Sequence, residues 1–291
     1  MGHKSGFVNI IGSPNVGKST LMNQMMGEKF SIITSKAQTT RHRILGIVND
    51  EDYQIVFSDT PGVLDPHYKL HENMMGFVNS ALKDGDVILL VTDIYETGMA
   101  HAETLERLKK TSIPVLVLIN KIDQGTQEVI EEKVEFWHKE MPNAEILPIS
   151  ALEGFNLEPI RKRVLELIPE SPPYYDKEEL SDRPMRFFIS EMIREKIFLH
   201  YKKEVPYATQ VEVEEYLEDE TIIRIRAIIY VERKTQKGII IGHQGQKIKR
   251  VGIDARKDIQ KFVDKKVHLE LYVKVDKDWR GDDRKLERHG Y

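Results

Sequence analysis

Through the first 168 residues, apolar runs of four or five residues recur at 7–11, 44–48, 53–57, 87–91, 115–119 and 146–149. Between most of them lie amphipathic stretches, at 21–26, 73–82, 102–110, 127–139 and 157–168. The runs are too short for buried helices and predict strands. The stretches repeat their apolar residues at helical spacing and predict helices. Strand alternating with helix predicts an α/β domain, a mostly parallel sheet with helices on both faces. Ligands in such sheets bind beyond the carboxyl ends of the strands.

The rhythm then changes. Pro169, Pro172 and Pro173 end the last helix and predict an extended, stiff connector reaching about Pro184. Beyond it, Phe188, Met192, Ile193, Ile197 and Tyr201 predict a helix over 185–203. Residues 208–217 alternate in part and 222–231 clearly, with Ile223, Ile225, Ala227 and Ile229 set against Arg224, Arg226 and Ile228. An apolar, helix-like stretch leads to Gly242. A basic helix follows over 246–263, then a strand over 267–275. The charged tail 276–291 predicts no definite structure. The division is an α/β domain at 1–170, a linker at 171–184 and a smaller α+β domain at 185–291.

The first strand opens into Gly12-Ser13-Pro14-Asn15-Val16-Gly17-Lys18-Ser19, and Thr20 begins the helix. This is G-x-x-x-x-G-K-[ST] between strand and helix, a loop whose backbone N–H groups wrap nucleotide phosphates. The helix adds its positive end. Lys18 reaches the β- and γ-phosphates and the Ser19 hydroxyl ligates Mg²⁺. Asp59-Thr60-Pro61-Gly62 ends the third predicted strand. There Asp59 can hold Mg²⁺ through water, and the Gly62 N–H can touch a γ-phosphate. In the polar stretch 31–43, either Thr39 or Thr40 can reach the metal.

Asn120-Lys121-Ile122-Asp123 follows the strongly apolar run 114–119. A carboxylate only accepts hydrogen bonds, so Asp123 matches the N1–H and N2–H₂ edge of guanine, and adenine lacks that pair. Asn120 and the Lys121 stem flank the base. Ser150, Ala151 and Leu152 follow the sixth predicted strand, where a backbone N–H can meet the guanine oxygen. The nucleotide implied is GTP or GDP, with Mg²⁺.

Charge changes the picture of the second domain. The net charge of −4 divides into −10 over residues 1–182 and +6 over 183–291. Residues 233–266 hold eleven Lys and Arg against three acids, which points to a polyanion partner. Gly242-His243-Gln244-Gly245 lies there, with Lys247, Lys249 and Arg250 beyond it. The order helix–strand–strand–helix–helix–strand around a G-x-x-G resembles a KH domain, whose loop clamps the backbone of single-stranded RNA. Ile240, Ile241, Ile248 and Val251 read equally as a floor under bases or as core.

No Cys is present, which excludes disulfides and thiolate metal sites. The apolar runs are too short to span a bilayer, and residues 1–6 show no signal-peptide pattern. The expectation is a cytoplasmic monomer, with peripheral contact of the basic surface with anionic membrane left open.

Taken in order, GSPNVGKS, QTTRH, DTPG, NKID and SA resemble the translation-factor-related class of P-loop GTPases. The segment KAQTTRHRILGI and the C-terminal part resemble the Era family of bacterial ribosome-assembly GTPases. The resemblance covers nearly the whole chain. It implies GTP hydrolysis, with Lys18, Thr39, Thr40, Asp59 and Gly62 at the reacting phosphate. It also implies binding to the 3′ end of small-subunit ribosomal RNA and a role in small-subunit assembly. Where many such GTPases carry a water-positioning Gln, this chain has Val63, so slow intrinsic turnover is expected. Asn15 stands where similar GTPases coordinate K⁺, and a simple turn accounts for it equally. The competing reading is an RNA-binding assembly factor in which nucleotide is structural and hydrolysis incidental.

Overall fold

The computed structural model describes residues 2–99 and 101–291. Two compact units emerge.

The first unit is built on β1 (Lys4–Ile11), α1 (Lys18–Met26), β2 (Ile44–Asn49), β3 (Tyr53–Asp59), α2 (Lys69–Ala81), β4 (Val87–Asp93), α3 (Ala102–Lys110), β5 (Val115–Asn120), α4 (Gln127–Glu140), β6 (Glu145–Pro148) and α5 (Leu157–Leu167). The strand order is β2-β3-β1-β4-β5-β6. Every pairing is parallel except β2 with β3, an antiparallel edge. Successive side chains of a strand point to opposite faces. Leu89 and Val91 accordingly join Val8, Ile10, Leu21 and Ile160 in one core, while Ile88 and Leu90 join Val78, Leu108 and Trp137 in another. Burial on both faces is why these strands read as unbroken apolar runs.

Helix α1 begins at Lys18, three residues before its apolar face becomes legible, because its first turn carries the polar Lys18-Ser19-Thr20. The stretch 171–182 lies along the sheet edge. Gln54 Oε1 accepts the N–H groups of Tyr174 and Tyr175 at 2.8 and 3.0 Å, and Ile47 N donates to Leu180 O at 2.9 Å. Backbone that β2 would otherwise leave open is thereby satisfied.

The second unit contains α6 (Met185–His200), β7 (Thr209–Glu218), β8 (Ile222–Val231), α7 (Lys234–Ile241), α8 (Gln246–Val263), β9 (Lys266–Val275) and α9 (Asp283–Arg288). Its sheet runs β7-β8-β9, the first pair antiparallel and the second parallel. Ile193 and Ile197 of α6, Ile225 and Ile229 of β8, and Val251, Ala255 and Ile259 of α8 close one core. The segments Ile32–Thr39 and Tyr68–Leu70 cluster with this unit. The tail is ordered, contrary to its charged appearance. Trp279 is fully buried and its indole N–H donates to Ala208 O at 3.0 Å. Among the described residues, no helix is long and apolar enough to cross a membrane.

Candidate functional site

The carboxyl ends of β1, β3, β4, β5 and β6 lie side by side, because the register pairs Ile10 with Asp59 and Asp93 with Asn120. The loops that follow converge there. Gly17 takes φ 101°, ψ 24° at the start of α1, a region open to glycine and strained for other residues. A Cβ on it would also lie 2.2 Å from Asn120 Nδ2. That close approach lets the Asn120 amide donate to Val16 O at 2.8 Å while its Oδ1 accepts Ala151 N–H at 2.9 Å. One side chain ties together the phosphate loop, the NKID loop and the Ser150 loop.

Lys18 is buried, and its Nζ donates to Gly12 O and Ser13 O at 3.0 and 2.7 Å. Burial pushes the ammonium down to about 8, against the carboxylates of Asp59 and Glu96, which hold it up. Asp59 is fully buried. Its Oδ2 accepts from Ser19 Oγ at 2.7 Å, and Thr40 Oγ1 stands 2.9 Å from Ser19 Oγ. Burial raises the Asp59 carboxyl above its usual range, with the Ser19 hydroxyl and Lys18 opposing. Asp59 Oδ1 has no hydrogen-bond partner among the described residues. A spare carboxylate oxygen beside two hydroxyls is a donor set of hard oxygens that fits Mg²⁺.

Of the two threonines considered, the structure brings Thr40 to this cluster. The Thr39 hydroxyl is instead bonded locally, 2.6 Å from both Thr34 Oγ1 and Lys36 O. Thr60 Oγ1 donates to Ile10 O at 2.8 Å and Val63 N to Gly12 O at 3.1 Å, so the DTPG turn is fastened to the phosphate loop. The Val63 side chain is buried in core. Asn15 is exposed, with a left-handed φ of 66°.

At the base end, Ser150 Oγ donates to Asp123 Oδ1 at 2.5 Å and accepts Glu153 N–H at 3.2 Å. Asp123 is exposed rather than buried. Selectivity therefore depends on the ligand: a purine that covers this carboxylate must satisfy it or leave it unpaired. Leu152 is also exposed.

Reading motifs alone missed the turn after β4. Thr92 Oγ1 donates to Glu96 Oε2 at 2.8 Å. Burial raises the Glu96 carboxyl, with the Ser13 and Thr92 hydroxyls holding it down. The available signal was position, since these residues follow a central strand of a parallel sheet.

In the second unit, Gly242 and Gly245 both take positive φ, 70° and 75°, and a Cβ on Gly242 would press into the Lys247 side chain at 2.7 Å. His243, Gln244, Lys247, Lys249 and Arg250 are exposed around this loop, and α8 begins there with its positive end. Beside it, Ile248, Lys249, Gly252, Ile253 and Arg256 of α8 with Leu269 and Leu271 of β9 line a groove of about 250 Å³. This divides the four apolar residues considered from sequence. Ile240 and Val251 are fully buried core. Ile241 and Ile248 are half-buried and pack against the same core, and Ile248 also faces the groove with Ile253, Leu269 and Leu271.

A family model described as 50S ribosome-binding GTPase matches residues 7–121, and one described as KH domain matches residues 204–280. The chain is 44% identical to GTPase Era of Alkaliphilus metalliredigens over the full length of both. It is 44% identical to GTPase ERA1, chloroplastic, of Zea mays, covering 99% of this chain and 71% of that one. The solved structure of Era in complex with MgGDPNP and nucleotides 1506-1542 of 16S ribosomal RNA is 38% identical, with a TM-score of 0.94 over 99% of each chain. An Aquifex aeolicus Era variant bound to GDP.AlF4- has the same identity, coverage and score. With two domain models in order and relatives matched end to end, the chain belongs to the Era family of GTPases.

Proposed function

We propose that the first unit binds and hydrolyses GTP, that the second binds the 3′ end of small-subunit ribosomal RNA, and that the chain acts in small-subunit assembly. The observation that carries this is buried Asp59, whose Oδ2 is bonded to Ser19 with Thr40 beside it while its Oδ1 has no hydrogen-bond partner among the described residues. It gives the phosphate loop a metal-binding partner contributed by two separate loops. Mg²⁺ held by Ser19, Thr40 and Asp59 would neutralise charge on the β- and γ-phosphates.

Lys18 and the phosphate-loop N–H groups hold the non-bridging oxygens, and Gly62 N–H faces the γ-phosphate. A water attacks the γ-phosphorus, the bond to the β–γ bridging oxygen breaks, and GDP and phosphate leave. Val63 has no group to orient that water, so intrinsic turnover is slow. A K⁺ on the Asn15 amide oxygen would add positive charge beside the phosphates. Equal turnover in K⁺ and Na⁺ removes that part of the proposal. Loss of the γ-phosphate frees Thr40 and the segment after Gly62, which makes the cycle a switch.

In the second unit, Gly242–Gly245 clamps RNA backbone, Lys247, Lys249 and Arg250 supply charge, and the α8–β9 groove receives unpaired bases. The fold shared with a relative crystallised with MgGDPNP and a 16S ribosomal RNA fragment supports both halves. We place the protein in the cytoplasm as a monomer. Peripheral contact of the basic face with anionic lipid is tested by vesicle sedimentation with Lys249→Glu, a change that should release it. Competition of GTP and ATP for the purified protein, with binding of a 3′ ribosomal RNA oligonucleotide at physiological salt, tests the whole. Equal uptake of ATP, or no RNA binding, overturns it. The buried, inert Val63 is the one observation favouring structural nucleotide with incidental hydrolysis. Under that reading, Lys18→Ala leaves subunit assembly intact.

A further inference from the structure

Asp93 ends β4 and belongs to none of the motifs. Its carboxylate is nearly buried and fully engaged. Oδ1 accepts the N–H groups of Tyr95 and Glu96 at 3.0 and 3.1 Å, which closes the turn after the strand. Oδ2 lies 2.6 Å from Lys121 Nζ. That lysine is the one expected to flank the base, and it is held in the left-handed region at φ 63°. Long side chains rarely occupy this region, and they do so where surrounding structure over-determines them.

The surroundings here are visible. The sheet register sets Asp93 beside Asn120, and Ile94 N donates to Asn120 O at 3.3 Å. The Tyr95 ring centroid is 5.8 Å from Lys121 Nζ, and its hydroxyl donates to Gln124 Oε1 at 3.0 Å. The lysine is thereby drawn from the base loop toward the end of β4.

We propose that Asp93 is a positioning residue for guanine nucleotide binding: by pairing with the Lys121 ammonium it keeps the lysine stem extended along one face of the base site. This rests on the reading of Lys121 as a flank of the base. A lysine without that partner must be ordered by the ligand on each binding event, which lowers affinity. The ion pair is mostly withdrawn from solvent, with side-chain exposures of 27% for Lys121 and 7% for Asp93, so it is less screened than a surface pair.

Asp93→Asn separates this role from a structural one. The amide oxygen still accepts the Tyr95 and Glu96 N–H groups and keeps the turn, while the charge facing Lys121 is gone. Stopped-flow dissociation of a fluorescent GDP analogue is measured for the parent protein, Asp93→Asn, Lys121→Ala and the double variant. Asp93→Asn should speed dissociation about tenfold and raise KM for GTP much more than it lowers kcat. In the Lys121→Ala background the same change should have no further effect.

Effects that multiply independently in the double variant overturn the proposal, as does a lowered melting temperature without faster dissociation. If Lys121→Ala alone leaves dissociation unchanged, the base-flanking reading of the lysine falls, and this proposal with it. If Lys121→Ala weakens binding but Asp93→Asn does not, only this proposal falls.

Discussion

Ser19 Oγ donates to Asp59 Oδ2 across 2.7 Å, joining the first turn of α1 to the end of β3. The bond fixes one carboxylate oxygen and leaves the other free for a cation. The same arrangement costs stability. A carboxyl whose folded-state pKa is raised favours the folded state below its unfolded pKa, near 3.9, and that advantage is lost as pH rises through the folded value. Asp59 has such a raised value, so at neutral pH it burdens the nucleotide-free protein. Asp59→Asn should raise the melting temperature of that form at pH 7 while abolishing the extra stabilisation by Mg²⁺ with GTP. Calorimetry with and without ligand checks both halves.

Lys18 carries the same logic with the opposite charge. Burial holds its ammonium down to about 8 from 10.5. Below about pH 8 both folded and unfolded chains carry the proton, and the folded state bears the full cost. From 8 to 10.5 the folded chain sheds the proton first, so stability rises with pH over that window. Lys18→Met should stabilise the nucleotide-free protein at pH 7 by at most about 3 kcal/mol, taking 1.36 kcal/mol per pKa unit. It should also flatten the alkaline rise and remove stabilisation by GDP. Melting curves between pH 7 and 10 measure all three.

Asp123 sits exposed with Ser150 Oγ on one carboxylate oxygen. Asp123→Asn replaces an acceptor with a donor on the purine edge. Guanine, which presents donors there, should lose at least about a hundredfold in affinity, since unpaired polar groups in a built site are heavily penalised. Xanthine presents a carbonyl at the same place and should gain. Competition of XTP against GTP for the variant decides whether Asp123 reads the base.

Around the Gly242–Gly245 loop, exposed cations and an apolar groove divide the work. Lys249→Ala removes a charge and should weaken single-stranded RNA of any sequence, reducing the salt slope of log affinity by about 0.7. Ile253→Ala removes groove wall and should weaken binding with the slope unchanged. Filter binding across a salt series distinguishes the two. Equal slopes for the parent protein and Lys249→Ala contradict the charge role.

The sheet and the phosphate loop were legible because each leaves a local mark. Strands buried on both faces must be continuous apolar runs, and a phosphate loop needs its glycines and lysine at set spacing. What stayed hidden depends on juxtaposition. Thr39 and Thr40 are chemically alike, and only the fold turns Thr40 toward Ser19 and Thr39 toward Lys36 O. Asp93 and Lys121 meet only because β4 and β5 pair in a particular register. Ile240 and Ile248 share one apolar pattern, yet one is fully buried and the other packs half-exposed at the core's edge, where it lines the groove.

The charged tail misled most, and it yields a sharp test. Trp279 and the His289 side chain are fully buried, with ring centroids 5.6 Å apart, and Tyr230 lies 5.1 Å from His289. Tyr291 OH donates to Gln210 Oε1 at 2.8 Å. Aromatic packing, invisible to a count of charges, therefore anchors the chain end to β7. Trp279→Ala should cost about 3–5 kcal/mol, the usual range for emptying a large aromatic site. Burial, followed by Arg288, lowers the His289 pKa, against the pull of Glu212 and Asp276. As pH falls below about 6.5, the unfolded chain takes up the proton before the folded one, so stability declines with acidity. His289→Gln cannot titrate and should flatten that decline between pH 7 and 5. Following Trp279 emission in a Trp137→Phe background isolates this unit's transition. An unchanged acid slope in His289→Gln would show that the imidazole is not the group responsible.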